Sequence, residues 1–318
     1  MSMLAMPSSS VVAYLGPQGT FSHAAAGAFF GGAVSGQRWD MLSCSSIEDV
    51  FASVARSESR YGVVPVENST EGAVNNTQDC LLDAAVSVVG EIVLPIRHNL
   101  LAAPGTSLDQ LRSIVSHKQS LAQCRRWLAS NVPSLPREEC ASNAQAATMA
   151  ASKPGVGAIA GEFAARTYGL TILASSIQDH SHNSTRFLIL SQPGAAAPAT
   201  SSTSGLGVKT SLLVATDNKP GALFRILAPF NAQSVDLSKI EARPSKRRAW
   251  EYVFFIDFVL PNACPGRADA HGEEIDSLLQ ALREEASSVR VLGSYALAVG
   301  AEGAAGADEG TDARGGDV

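Results

Sequence analysis

Residues 191–207 read Ser-Gln-Pro-Gly-Ala-Ala-Ala-Pro-Ala-Thr-Ser-Ser-Thr-Ser-Gly-Leu-Gly. A single leucine is the only large apolar side chain in that run. It has nothing with which to join a core, and its composition is that of a linker. The chain on either side must therefore bury its own apolar surface, and the two sides differ in rhythm.

Residues 11–190 alternate strand and helix signals. Val11–Leu15 is an apolar strand ending at Gly16-Pro17. Ser45-x-x-Glu48 has capping-box spacing, and Ile47, Val50, Phe51 and Val54 recur at helical spacing. Tyr61–Val66, Ile114–Ser116, Val156–Ala160 and Arg186–Leu190 read as strands. Helices are expected through Leu81-Leu82, from Ser120 to Ala129, over Asn143–Ala151 and over Gly161–Tyr168. Such alternation implies α/β layers, with ligands bound beyond the carboxyl ends of strands. Residues 208–298 instead run strand, helix, strand, strand, helix, strand. Lys209–Ala215, Val235–Ile240, Trp250–Leu260 and Val291–Leu297 are the strands. Leu223, Ile226, Leu227 and Phe230 stripe one helix, and Ile275, Leu278, Leu279 and Leu282 the other. This βαββαβ order is a ferredoxin-like split unit whose open sheet edge suits a second copy. Residues 299–318 are rich in Gly, Ala and Asp without an apolar period, and are expected to be a disordered tail.

A net charge of −6 and a pI near 5.5 argue against a nucleic-acid surface or a polybasic membrane patch. No apolar run approaches the roughly 18–20 residues that span a bilayer. The start, Met1 to Pro7, lacks the basic and apolar regions of a signal peptide. Cys44, Cys80, Cys124, Cys140 and Cys264 are far apart, without a C-x-x-C, and read as reduced thiols of a cytoplasmic protein. His180 and His182 can share a strand face, but no further Cys or His lies nearby, so no metal site is expected.

Four polar clusters fall at strand ends. Gly16-Pro17-Gln18-Gly19-Thr20-Phe21-Ser22-His23 fits either a capped turn, with Thr20 or Ser22 as cap, or a helix N-terminus that takes a carboxylate or phosphate. It matches neither a dinucleotide fingerprint nor a phosphate loop. Glu67-Asn68-Ser69-Thr70 offers more polar side chains than one helix cap needs, and that surplus favours a ligand. Ser116-His117-Lys118-Gln119, with Gln123, is either a binding turn or a solvated one, and His117 is a lone acid–base candidate. His182-Asn183-Ser184-Thr185-Arg186-Phe187 leads into an apolar strand. Its residues alone fit an oxyanion-binding lip or a strand edge with a structural arginine.

Together, Gly-Pro-Gln-Gly-Thr-Phe-Ser, Val-Pro-Val-Glu-Asn-Ser-x-x-Gly, Ser-His-x-Gln-x-x-x-Gln-Cys and Asn-x-Thr-Arg-Phe resemble prephenate dehydratase over residues 11–190. The resemblance implies a two-lobed, type II periplasmic-binding-protein-like α/β fold. Its crossings would lie near Glu91–His98 and Leu173–Asp179. Lobe 1 would then take 11–92 and 178–190, and lobe 2 97–174. Asn218-Lys219-Pro220-Gly221-Ala222-Leu223 and Glu241-Ala242-Arg243-Pro244 resemble the two signature segments of the regulatory ACT domain. The second segment usually reads Glu-Ser-Arg-Pro, so Ala242 lacks one hydroxyl.

The resemblance implies decarboxylative dehydration of prephenate to phenylpyruvate in phenylalanine biosynthesis, needing no cofactor. It nominates Thr185 as the catalytic hydroxyl. Thr20, Ser22, Glu67, Asn68, Ser69, Thr70, Gln119, Asn183, Arg186 and Phe187 are the expected substrate contacts. Strand alternation points Arg186 away from Thr185 and Phe187, which favours a brace between the lobes over a carboxylate clamp. L-Phenylalanine is the expected effector, held by Asn218, Pro220, Gly221, Ala222 and Leu223 and by Glu241, Ala242, Arg243 and Pro244, in a homodimer or homotetramer. With so few residues ahead of Val11, no chorismate mutase segment is expected there. Two alternatives stay open on these motifs: an arogenate dehydratase, and a non-enzymatic amino-acid sensor.

Overall fold

The computed structural model describes residues 10–31, 38–195, 197–198, 207–246, 251–260 and 271–297. Its elements begin with β1 (Val11–Leu15), α1 (Phe21–Phe30), β2 (Asp40–Cys44), α2 (Ile47–Ala55), β3 (Tyr61–Asn68), β4 (Gly72–Ala73), α3 (Asn75–Asp83) and β5 (Ser87–Pro95). There follow β6 (Asn99–Ala102), β7 (Ser113–His117), α4 (Lys118–Gln123), α5 (Arg125–Asn131), β8 (Arg137–Cys140), α6 (Asn143–Ser152), β9 (Val156–Ala160), α7 (Glu162–Tyr168) and β10 (Thr171–Ala174). Last come β11 (Ser184–Ser191), β12 (Val208–Ala215), α8 (Ala222–Ala232), β13 (Asp236–Pro244), β14 (Tyr252–Leu260), α9 (His271–Glu285) and β15 (Ser288–Ala296). The expected tail at 299–318 and much of 191–207 lie outside the described residues.

Three sheets result. The first has the order β2-β1-β3-β11-β5, with β4 on β3; the second has the order β10-β6-β9-β7-β8. The chain passes between them at 95–99 and again at 174–184, so β11 returns to the first sheet. Glu91, expected at the first crossing, instead lies within β5. Alternation sorts β1 between two cores: Val12 and Tyr14 join Ala25, Ala26 and Phe30 of α1, while Ala13 joins Ile47, Val50 and Val54 of α2. The third sheet, β13-β14-β12-β15, is antiparallel throughout and forms the ferredoxin-like unit.

Three local expectations change. The cap of α2 is Ser46, whose hydroxyl accepts from Asp49 N, and not Ser45. The helix expected from Ser120 to Ala129 is broken at Cys124 into α4 and α5. Of the stripe expected on α8, Ile226 and Phe230 are buried, whereas Leu223 is 41% exposed and Ala222 is buried in its place.

Each face of the third sheet is covered differently. Leu212, Val214, Ile256 and Phe258 meet Ile226, Phe230, Leu278 and Leu282 of α8 and α9. On the opposite face, Val253, Phe255, Leu292 and Tyr295 join Val64, Leu188 and Leu190 in one core with the first sheet. Gly293 lets β15 approach β5 so closely that an added methyl would overlap the Val88 backbone carbonyl.

Charges are buried in the same contact. Arg186 Nε lies 2.7 Å from Glu91 Oε2, Nη1 lies 2.7 Å from Asp257 Oδ2, and Nη2 donates to Tyr295 Oη at 3.1 Å. Lys209 Nζ reaches Glu91 Oε1 at 2.8 Å. Burial opposes the Arg186 charge, but Tyr295, Asp257 and Glu91 outweigh it and hold the guanidinium above its ordinary value. Burial, then the neighbouring Asp257, raises the Tyr295 phenol in turn. The brace expected between the two lobes therefore joins the first sheet to the third, because Arg186 shares a face of β11 with the docked β14 and β15.

Two measurements test this docking. Gly293→Ala should cost about 1–3 kcal/mol or more by overpacking, read as a lower denaturation midpoint; a wild-type midpoint would mean that β15 and β5 are not in close approach. Arg186→Met strands the Asp257 carboxylate and should cost about 3–5 kcal/mol, with Asp257→Asn in the same background recovering part of the loss.

Candidate active site

A cleft of about 350 Å³ opens between the first and second sheets. Its walls come from the ends of β1, β3, β7 and β11 and from the first turns of α1 and α4. Of the expected substrate contacts, Thr20, Ser22, Asn68, Gln119, Asn183 and Phe187 line it, as does Thr185.

β11 supplies the centre of this wall. It is paired on both edges, with Thr185 opposite Asn68 on β3 and opposite Leu94 on β5. Thr185 and Phe187 project into the cleft and are 8% and 1% exposed. Asn68 Nδ2 donates to Thr185 Oγ1 at 2.9 Å and to Asn183 Oδ1 at 2.8 Å. Its Oδ1 accepts from the backbone of Thr70 and Glu71 at 2.9 and 3.0 Å. Both ends of the Asn68 amide are thus assigned by their partners. Thr185 Oγ1 accepts from Asn68, so its own proton is available to an acceptor in the cleft.

The surplus of polar residues after β3 is not a helix cap. α3 begins at Asn75 behind Val74, with no side-chain cap at all. The run instead ties β3 to the lip of β11. Ser69 Oγ donates to the His182 carbonyl at 3.0 Å and accepts from Ser184 N at 2.9 Å.

Four expected contacts do not line the cleft. Glu67 pairs with Lys239 at 2.8 Å on the third-sheet side, because it alternates with Asn68. Ser69 is engaged as just described, and Thr70 contributes its backbone N–H to Asn68. Arg186 lies on the opposite face of β11. Thr20 lines the cleft, but its hydroxyl caps α1, accepting from His23 N at 3.3 Å and donating toward Leu15 O at 3.0 Å.

Across the cleft stand Gln123, already part of the third polar cluster, and His98, which none of the four clusters contained. Gln123 Oε1 accepts from Asn183 Nδ2 at 3.1 Å, and Gln123 Nε2 donates to Glu71 Oε1 at 3.3 Å, which ties the walls together. His98, from the first crossing, lies 2.8 Å from Gln123 Oε1 through Nε2. It is 2% exposed, and burial holds its pKa below the usual imidazole range. Glu71, His117 and Asn143 also face the cleft. A lone His before a short strand carries no spacing signal, so only the fold could place His98 here.

A second cavity, about 260 Å³, lies beside the first turn of α8. Asn218, Gly221, Ala222 and Leu223 line it with Tyr252 and Phe254. Gly221 precedes α8 at φ 76°, a left-handed conformation that suits glycine. Pro220 and the segment Glu241 to Pro244 do not line it. Ala242 and Pro244 sit directly across from Phe254 and Tyr252. Glu241 and Arg243 point the other way, to Gln78 at 2.6 Å and to Asn75 at 2.7 Å on α3.

Comparison with known proteins follows the same lines. The family model described as prephenate dehydratase matches residues 12–195. A bifunctional chorismate mutase/prephenate dehydratase of Pseudomonas aeruginosa is 45% identical over 94% of this chain and 76% of that protein. Arogenate dehydratase 2 of Petunia hybrida is 34% identical over 89% of this chain and 71% of its own. The crystal structure of a prephenate dehydratase from Arthrobacter aurescens in complex with L-Phe superposes with a TM-score of 0.76 at 30% identity, covering 90% of each chain. Its likeness agrees with the two-lobed, periplasmic-binding-protein-like arrangement of the first two sheets and the C-terminal unit beyond them. By matched length, by identity and by fold, this chain belongs to the prephenate dehydratase family.

Proposed function

We propose that the chain is a carbon–oxygen lyase that turns prephenate into phenylpyruvate, carbon dioxide and water. The bond to the ring carboxylate breaks, its electron pair aromatises the ring, and the C–O bond opposite breaks so that hydroxide leaves with a proton. Aromatisation drives the step, and the barrier lies in expelling hydroxide.

The observation that carries this reading is the Thr185 hydroxyl, held on its oxygen by Asn68 and free to donate into the cleft. A threonine is too weak an acid for full proton transfer, so Thr185 hydrogen-bonds the departing oxygen or relays a proton through water. General-acid assistance of this kind is worth about 10²–10⁴-fold. Much of it is preorganised, since both ends of Asn68 are already engaged. The first turn of α1, where Phe21 and Ser22 face the cleft, offers N–H groups to the substrate's side-chain carboxylate. The ring carboxylate, whose charge must vanish, is held more loosely.

L-Phenylalanine acts as effector at the second cavity, which has the aromatic wall of Tyr252 and Phe254 beside the polar turn Thr216 to Lys219. Leu223, Phe224 and Tyr252 around this cavity are 41%, 76% and 39% exposed, and Ile240 on the same unit is 44% exposed. A second copy covers these apolar side chains, giving a homodimer or a homotetramer. Burial pushes the Cys124 thiol up to about 12 and Cys80 up to about 11, which suits inert thiols in a reducing cytoplasm. No described helix is long and apolar enough to cross a membrane.

An assay for phenylpyruvate with prephenate, with and without L-phenylalanine, tests the whole reading, and arogenate in parallel reports which substrate the cleft prefers. Thr185→Ala should lower kcat by about 10²–10⁴-fold with a modest change in KM, and Thr185→Ser should retain more. Undiminished turnover by Thr185→Ala would remove Thr185 from the chemistry. Asn218→Ala should leave turnover intact and blunt the response to L-phenylalanine. Removing residues 208–318 is a poor substitute, because it would expose Arg186, Glu91 and the shared apolar core.

A further inference from the structure

We infer that His98 is a positioning residue for this reaction, working as a neutral imidazole whose Nε2–H pins Gln123 across the cleft. The inference rests on the dehydratase reading above.

Partners at each end determine the orientation of Gln123. Its Nε2 donates to the Glu71 carboxylate at 3.3 Å, and its Oε1 accepts from Asn183 Nδ2 at 3.1 Å. An amide oxygen only accepts, so His98 Nε2, 2.8 Å from that same oxygen, must carry the hydrogen. In a neutral ring Nδ1 then holds a lone pair. Among the described residues it is buried without a hydrogen-bond partner. A second proton would place a charged donor there with nothing to receive it, which is costly in a buried site. The lowered pKa of His98 agrees with this.

His98 is held through its ring and through its backbone. Phe21 of α1 presents a ring at 5.8 Å in an edge-to-face arrangement. Gln178 Oε1 accepts from His98 N at 3.0 Å, and Ile177 N donates to His98 O at 2.8 Å, so the two crossings are joined at this residue. Gln123 of α4 completes the set, with Glu71 as the carboxylate behind it. His98 therefore imposes the geometry of the crossings on Gln123. From there the chain of bonds runs through Asn183 and Asn68 to Thr185 Oγ1, at 2.8 Å between the two asparagines and 2.9 Å to the hydroxyl. Without the Nε2–H, Gln123 Oε1 loses one of its two donors, and the amides behind Thr185 lose a fixed end. His98 need not touch the substrate to act this way.

The test is prephenate turnover by the full chain and its variants. Wild-type turnover bears on the dehydratase reading by itself, and the variants bear on His98. His98→Leu should lower kcat by about 10²-fold, the scale of a misplaced catalytic group, with KM changed only a few-fold. His98→Gln, which returns an N–H near the Nε2 position, should recover most of the loss, and His98→Asn, too short to reach Gln123, should not. Because the effect passes through Gln123, His98→Leu should add little to Gln123→Leu in a double-mutant cycle. Wild-type kcat in His98→Leu would overturn the inference. So would His98→Gln failing alongside His98→Leu while both melt near wild type, or full additivity with Gln123→Leu. If His98→Leu does not fold, the contrast between His98→Gln and His98→Asn decides the same question.

Discussion

Four charges largely shielded from solvent set the terms for the rest of the molecule. Glu91 and Asp257 face Arg186 and Lys209, two of each sign, in a contact where the most exposed side chain shows 13% of its surface. Ions removed from water stay affordable only while their partners remain in place. Two of those partners, Lys209 and Asp257, belong to the C-terminal sheet. The first sheet is therefore incomplete by itself: the strand carrying Thr185 has one face toward the cleft and the other sealed by a unit that comes later in the chain. Apolar contacts among Leu188, Leu190, Phe255 and Leu292 close the same seam.

The cleft face is organised differently, by neutral amides. Asn68, Asn183 and Gln123 each have a donor end and an acceptor end, and each end is committed to an identified partner. Such a chain admits one orientation per amide, so the threonine hydroxyl is aimed by a neutral amide, with the Glu71 carboxylate at the far end of the chain. That suits a reaction in which the ring carboxylate gives up its negative charge to the departing hydroxide, so that neutral carbon dioxide and, once a proton is added, neutral water leave. A strong local field would bind the departing carboxylate too well in the ground state.

Much of this was legible in the chain, and the failures have physical causes. Ile47, Val50, Phe51 and Val54 announced α2 because helical spacing reports burial of one face. The βαββαβ order was visible for the same reason. β8, Arg-Glu-Glu-Cys, was not, since an exposed edge strand needs no apolar residues. β5 was obscured by Glu91, a polar residue in mid-strand whose partners come from distant segments. At the site, the four clusters did mark the cleft, yet Glu67 and Arg186 turned away from it. Motif membership names neighbours in sequence, while a strand sends neighbours to opposite faces. Gln123 stood in the third cluster, but its partner His98 is fixed by contacts between the two crossings of the chain, which no local pattern encodes.

Two occupations share β11 without interfering, and the separation is a matter of parity. Thr185 and Phe187 belong to the cleft, and Arg186 between them belongs to the ion cluster. A slip of one residue in the pairing of β11 would exchange the two sets. The guanidinium would swing into the substrate cavity, and the hydroxyl would be sealed among carboxylates. Composition would be unchanged, and neither face could do its work. Activity and docking are thus written into one counting register, where substitutions can be repaired singly but a slip in pairing fails on both sides at once.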